Sequence, residues 1–344
     1  MSMATLQTGG IEQETLQRVE LDNGLEFHFV EAGQGPPLVF VHGVLGDWRT
    51  WAPQWPVFTP AFRCISYSRR YSVPNRNRQP SPDHSACVEA EDLAALLSRW
   101  DAEPAVLVGS SYGAFTALAL AVSRPELVRA MVLVEPPMLR WADRTPQGQA
   151  TRRAFDETIR LPARQAFKEG RDEDAVRLLT GGIVGSAQAQ RITPEAMQQR
   201  MENALSIRML TLSSDEFPMI SPEALAGIPC PVLLLAGEHT PAIHASVFEA
   251  IGQAMPQARQ CRVAAAGHSV ARDNPDAFNR MALQFLKDHQ LAGVRSETGS
   301  QPRHDQGSDM PGLVDQGLQD LALCMPSAAA ASQPRLQRSP SHGA

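Results

Sequence analysis

The sequence predicts an α/β fold, a mostly parallel central sheet with flanking helices and a helical cap insertion. Three observations point to it. Short, continuous apolar runs recur along the chain, as strands covered on both faces require. Helical patterns alternate with these runs. From residue 138 to about 222 the alternation stops, and the chain there is rich in Arg, Glu, Gln and Ala without a strand-like run.

Residues 19–31, "VELDNGLEFHFVE", read as two antiparallel strands joined at Asn23-Gly24, a dipeptide suited to the positive φ angles of a tight hairpin. Apolar runs follow at "LVFVH" (38–42), "FRCISYS" (62–68), "AVLVG" (105–109), "AMVLVE" (130–135), "PVLLLAG" (231–237) and "QCRVAAAG" (260–267). Among the helices, "ACVEAEDLAALLSRW" carries apolar residues three and four apart and acids in its first turns. "YGAFTALALAVSRP" is a buried helix stopped by proline, and "NPDAFNRMALQFLKDHQ" starts with Asn274 as cap and Pro275 in its first turn. Residues 17–137 and 223–290 therefore form the α/β core. Residues 138–222, divided at "LTGGIVGS" and "RITPEAM", form a helical cap. Residues 291–344 are polar and rich in Pro, Gly and Ser, a composition expected to stay disordered apart from a weak helical turn at "LVDQGLQDLAL".

A chain of 344 residues buries enough surface to stand without staples. Its five cysteines are odd in number and lack CxxC spacing, which argues against a disulfide framework and against a zinc site, and for a reducing compartment. The opening "MSMATLQTGGIEQE" has no basic and apolar leader, and no run approaches the roughly 18 apolar residues of a membrane span. The reading is a soluble, cytoplasmic protein with no membrane partner and no cofactor. With basic and acidic residues mixed and a net charge of −6, the chain offers no cationic footprint for nucleic acid. The expected partner is a small-molecule substrate, with the oligomeric state left open.

The chemistry starts at Gly109-Ser110-Ser111-Tyr112-Gly113, between an apolar strand and a helix. In such a strand, sharp turn and helix, only the central residue projects toward a substrate, which selects Ser111 as nucleophile. Side chains at 109 or 113 would strike the neighbouring strand or helix. The competing reading is a pair of serines that merely cap the helix, a lesser part left to Ser110. Two donors are needed for the oxygen that becomes negative during acyl transfer. The N–H of Tyr112 is one, and the N–H of Val44, in "HGVLGDWRTW", is the second, with Gly43 allowing a close backbone approach. His42 reads as a structural histidine shaping that loop. Among the nine histidines, His268 stands after a strand and a glycine and before a capped helix, so it reaches the carboxyl edge of the sheet and is the candidate base. His84, His239 and His244 lack such a context.

Hairpin, "VHG", "GSSYG", a strand ending in "EPP", a helical insertion, "PVLLLAGE" and a late "GH" together resemble the α/β-hydrolase fold superfamily over roughly residues 17–290. The resemblance implies nucleophilic hydrolysis and says little about substrate. In most members the acid follows strand seven in a "GExD"-like turn. Here that turn reads "GEHTP", with Thr240 at the acid position. The acid expected instead is Glu135, which ends "AMVLVE" one strand from Ser111, as in members that take their acid from after strand six; Glu238 is its rival. With a serine at 111, aspartate-nucleophile chemistry is disfavoured. An ester or thioester, cleaved through an acyl-enzyme, is the default substrate. Carbon–carbon bond hydrolysis and cofactor-free haloperoxidation use the same triad, and a non-catalytic ligand-binding member is the reading from another class. Trp48, Trp51, Tyr67 and Tyr71 are expected near the mouth of the pocket. Arg69 or Arg70, in the basic "YSRRYSVPNRNRQP", is expected to meet a substrate carboxylate.

Overall fold

A computed structural model describes residues 10–292 and the two-residue strand Cys324–Met325. The apolar runs become β1 (Gln17–Glu20), β2 (Glu26–Ala32), β3 (Pro37–Val41), β4 (Arg63–Tyr67), β5 (Ala105–Ser110), β6 (Val128–Val134), β7 (Val232–Gly237) and β8 (Arg259–Val263); Cys324–Met325 is β9. They form one sheet in the order β1-β2-β4-β3-β5-β6-β7-β8-β9. From β4 to β8 every neighbouring pair is parallel, and β1, β2 and β9 join antiparallel at the edges. The last expected strand is shorter than its apolar run: β8 stops at Val263, and Ala265 turns the chain at a positive φ of 53°.

Strand pleating sends alternate residues to opposite faces, and two cores result. Val39, Val41, Leu107, Leu133 and Leu234 pack on one side with the helices Ala86–Arg99, Tyr112–Ser123 and Ala242–Ala254. Leu38, Phe40, Val106, Val132 and Leu235 pack on the other with Trp51, Trp55, Phe58 and the helix Pro275–Asp288. Asn274 caps that last helix, its Oδ1 accepting from the Ala277 N–H at 3.2 Å. Because β3 lies between β4 and β5, the chain crosses to opposite sides of β3 on leaving β3 and on leaving β4. This reversal opens a crevice at the carboxyl ends of β3 and β5, where open α/β sheets bind ligands.

The turn out of β5 is tight. A Cβ on Gly113 would stand 2.1 Å from the Val41 carbonyl oxygen and 2.6 Å from that of His42. Both are backbone atoms of the strand next door and cannot yield cheaply. Gly113→Ala is therefore expected to destabilise the fold by about 3 kcal/mol, read as a lowered urea midpoint; an unchanged midpoint would show that β3 gives way.

Between β6 and β7 the described chain is helical, including Pro146–Phe155, Leu161–Lys168, Asp172–Val184, Pro194–Glu202 and Ala204–Leu212. Ala163, Phe167, Val176, Leu179 and Ile207 form a small core there, against which Val44 and Leu45 pack. Asn203 fastens these helices to the sheet loops: fully buried, it donates from Nδ2 to Asp47 Oδ2 at 2.9 Å and accepts from the Val73 N–H at 3.0 Å. The segment "LVDQGLQDLAL" lies outside the described residues, as does the rest of the expected tail beyond residue 292 apart from β9. Cys64, Cys87 and Cys230 are free thiols, but Cys261 is disulfide-bonded, contrary to the expectation of a fully reduced set. The pairing of β8 with β9 sets Cys261 opposite Cys324 in register.

Candidate active site

Ser111 occupies the turn between β5 and the helix Tyr112–Ser123, with φ 52° and ψ −121°. An L-residue pays for a positive φ, and it is held here by its N–H bond to the Val134 carbonyl at 2.8 Å and by Ala114 and Phe115 N–H groups on its own carbonyl. Its side chain makes no capping hydrogen bond, which removes the helix-cap reading and leaves the hydroxyl turned outward. Ser111 lines a cavity of about 100 Å³ together with His268, Gly43, Val44, Ser110 and Trp51. It also borders a second, largely apolar cavity of about 40 Å³ with Val44, Tyr112, Leu139, Ile207 and Phe217. Among the described residues, neither the Val44 N–H nor the Tyr112 N–H is spent on a loop or turn hydrogen bond.

Glu135 is the first residue past β6 and, like Ser111, is strained, with a φ of 41°. Its backbone N–H is tied to the Leu235 carbonyl at 3.1 Å, and the two prolines that follow lead the chain out of the sheet. The buried carboxylate accepts three hydrogen bonds. Gly237 N–H reaches Oε1 at 2.8 Å, the Thr240 hydroxyl reaches Oε2 at 2.7 Å, and His268 Nδ1 lies 2.6 Å from Oε2. With the Nδ1 proton committed to Glu135, Nε2 of the buried ring is an acceptor, and it has no partner among the described residues. Glu238 is turned away: its carboxylate is more than half exposed and accepts from the Ala265 N–H at 3.0 Å.

Thr240 thus stands at the usual acid position but serves the acid on the neighbouring strand. Removing its hydroxyl deletes a bond to a charged group, commonly about 1.5–3 kcal/mol. Thr240→Val is accordingly expected to lower the melting temperature by several degrees and kcat/KM on the order of 10- to 100-fold; undiminished turnover would show that the other two bonds suffice to hold the carboxylate.

Two further histidines flank the site. His42 is fully buried, its Nδ1 2.7 Å from the Gly43 carbonyl and its Nε2 accepting from the Arg69 N–H at 3.0 Å. Burial, with Arg69 nearby, pushes its pKa down to about 4, so the neutral ring braces the loop that carries Val44. His244, from the helix Ala242–Ala254, stacks on His268 with ring centroids 4.0 Å apart. Burial first, and the neighbouring imidazole second, hold its pKa well below the usual value. The sequence carries no local signal for this stack. Glu135, His244 and His268 bring potential metal-ligand atoms within 4.8 Å of one another, although the hydrogen bond between Glu135 and His268 already engages two of them.

Five of the residues expected at the mouth or on the substrate stand elsewhere. Arg69 lines neither cavity, because its guanidinium is buried in an ion pair with Glu89 at 2.5 Å and lies over the Tyr112 ring. Burial is the largest influence on the Glu89 carboxyl and would raise it, but Arg69, His84 and His42 together outweigh it and hold the pKa at about 2. Arg70 is likewise paired, with Asp92 at 2.6 Å. Trp48 packs with the Phe40 core, while Tyr67 and Tyr71 are buried away from the cavities, the Tyr71 hydroxyl donating to the Gln79 carbonyl. Of the four aromatic residues only Trp51 lines a cavity.

Residues 38–281, spanning β3 through the first half of the helix Pro275–Asp288, match the alpha/beta hydrolase family. The chain belongs to this family. Within it, the chain is similar to a Mycobacterium tuberculosis protein that carries the name "Putative non-heme bromoperoxidase BpoC", 28% identical over 266 residues that cover 74% of this chain and 95% of that protein. It is 27% identical to mouse sn-1-specific diacylglycerol lipase ABHD11 over 73% of this chain and 81% of that one. A hydrolase from Pseudomonas aeruginosa PA01 shares the fold with a TM-score of 0.64 at 22% identity, over 79% of this chain and 98% of its own. The match begins at β3, so the antiparallel β1–β2 hairpin is a margin of this alpha/beta hydrolase outside the matched segment. Among the described residues no helix is long and apolar enough to cross a membrane.

Proposed function

We propose that this alpha/beta hydrolase cleaves a small-molecule ester or thioester by way of an acyl-enzyme on Ser111. The observation that carries the reading is the 2.6 Å bond between Glu135 and His268 beside the strained Ser111. That bond fixes the imidazole with an unprotonated Nε2 facing the cavity it shares with the serine. His268 takes the Ser111 proton as the hydroxyl attacks the acyl carbon. The oxygen that becomes negative is held by the Val44 and Tyr112 N–H groups, with the positive end of the helix Tyr112–Ser123 behind them. The tetrahedral intermediate collapses as the imidazolium protonates the leaving alcohol or thiol. Water, deprotonated by the same imidazole, then releases the acid and restores the serine. Glu135 stabilises the imidazolium in both halves, and the helices of residues 138–222 roof the site through Thr180, Ile183 and Arg200.

The missing strand-seven aspartate was the ground for a non-catalytic member. A carboxylate already bonded to His268 takes that ground away. A second reading, haloperoxidation with the same triad, has the name of the mycobacterial relative in its favour. A panel of p-nitrophenyl esters of increasing acyl length, run beside a halide and peroxide assay with monochlorodimedone, separates the two. Ester turnover with saturation kinetics is expected; turnover of no ester alongside halogenation would replace the first reading with the second.

A further inference from the structure

Burying a guanidinium without an anion is costly, and this chain follows the rule almost everywhere. Arg49 pairs with Asp47, Arg63 with Glu31, Arg69 with Glu89 and Arg70 with Asp92. Arg200 breaks it. Only 9% exposed, it lies on the helix Pro194–Glu202 and lines the same cavity as Ser111 and His268. Its hydrogen bond is to its own helix, from Nη1 to the Ala196 carbonyl at 2.8 Å, and among the described residues no carboxylate lies within ion-pair distance.

A second cation joins it. Arg272 lines that cavity from the turn Val270–Asp273, four positions after His268, with its side chain at the open rim. The adjacent Asp273 acts on Arg272 through its charge, but its carboxylate oxygens are bonded to other groups, accepting from the Gly267 N–H at 2.9 Å and from Gln188 Nε2 at 3.1 Å. No Asp or Glu lines the cavity. Burial, followed by the charge of Arg272, lowers the Arg200 pKa to about 10, so both groups are charged at neutral pH and repel each other. With Arg200 unpaired and Asp273 offsetting only part of the Arg272 charge, two guanidiniums that face one space gain most from a planar anion that accepts from both.

We infer that Arg200 and Arg272 form an anion subsite beside Ser111, and that the favoured ester carries a carboxylate on its acyl part. The inference rests on the hydrolase reading of the same site and names its substrate class. It transfers the role expected of Arg69 and Arg70 to two arginines far downstream in sequence.

The test compares mono-4-nitrophenyl glutarate with 4-nitrophenyl valerate, a neutral ester of nearly the same shape. Wild-type kcat/KM should favour the glutarate ester at least tenfold at low salt, and the preference should shrink as salt rises. Arg200→Gln should bring the ratio near one and Arg200→Lys should keep part of it. Arg272→Gln, at the rim where folding is not at stake, should lower the ratio several-fold. A wild-type ratio near one, or a ratio unmoved in both glutamine variants, would overturn the subsite. Calorimetry of Ser111→Ala with glutarate separates the two claims: binding that weakens on adding Arg272→Gln supports the subsite even if neither ester turns over, whereas valerate turnover with no glutarate binding leaves the hydrolase standing and the subsite refuted.

Discussion

Ser111→Ala is expected to remove covalent labelling by a fluorophosphonate probe and to lower ester turnover by at least about 10⁴-fold, because alanine supplies neither the nucleophile nor the proton that His268 must accept. The purified wild-type chain is expected to label with one equivalent, and the Ser110→Ala variant should still label, since Ser110 ends β5 and the strained turn belongs to Ser111. Circular dichroism of Ser111→Ala should overlay the wild type, since alanine is also an L-residue and carries the same positive φ in the same turn. Labelling that persisted without Ser111 would move the chemistry to another residue and sink the acyl-enzyme scheme.

Glu135→Gln is expected to cost on the order of 10³- to 10⁴-fold in kcat with little change in KM. The amide keeps the shape and two of its neighbours' bonds, yet it cannot balance an imidazolium. Its NH₂ group, if turned toward His268, also drives the ring to the tautomer whose Nε2 is protonated and useless as a base. Glu238→Gln, altering a side chain that faces solvent and bonds the Ala265 N–H, should change kcat by less than about twofold. A large loss in Glu238→Gln with activity preserved in Glu135→Gln would return the acid to strand seven. Rescue offers an additional check: Glu135→Asp, shorter by one methylene but still charged, should regain part of the rate lost in Glu135→Gln.

How much of this was legible in the sequence depends on how far the information lies from the residue concerned. Strands β3, β5, β6 and β7 announce themselves as unbroken apolar runs because both faces of each are buried, and the elbow is written within five residues, Gly109 to Gly113. Glu135 could be placed at a strand end because Pro136 and Pro137 mark where the sheet must release the chain. The bond from Thr240 to Glu135 spans 105 positions, and no local pattern encodes it. Thr240 nevertheless left a trace: a small hydroxyl residue stood where an acid is usual. His244 left none, since an apolar helix accommodates a buried histidine without altering its periodicity. Arg69 was misread for a related reason. In a basic loop it reads as a cation free to meet a substrate carboxylate, and only the fold brings Glu89, from the helix Ala86–Arg99, against it. Arg200 sits in a stretch whose charges look balanced along the chain, whereas the balance that matters is the one inside the cavity.

The shared carboxylate site has a consequence for how such a centre changes over time. Oε2 of Glu135 meets both the Thr240 hydroxyl and His268 Nδ1, so the two strand ends converge on one imidazole edge. An acid can therefore pass from one strand to the other by two single replacements, through an intermediate holding carboxyls on both. Those carboxyls would stand close enough to share one proton, leaving a single net charge opposite the imidazole throughout. At no step is the base without its counter-charge, and the rest of the sheet is not asked to move.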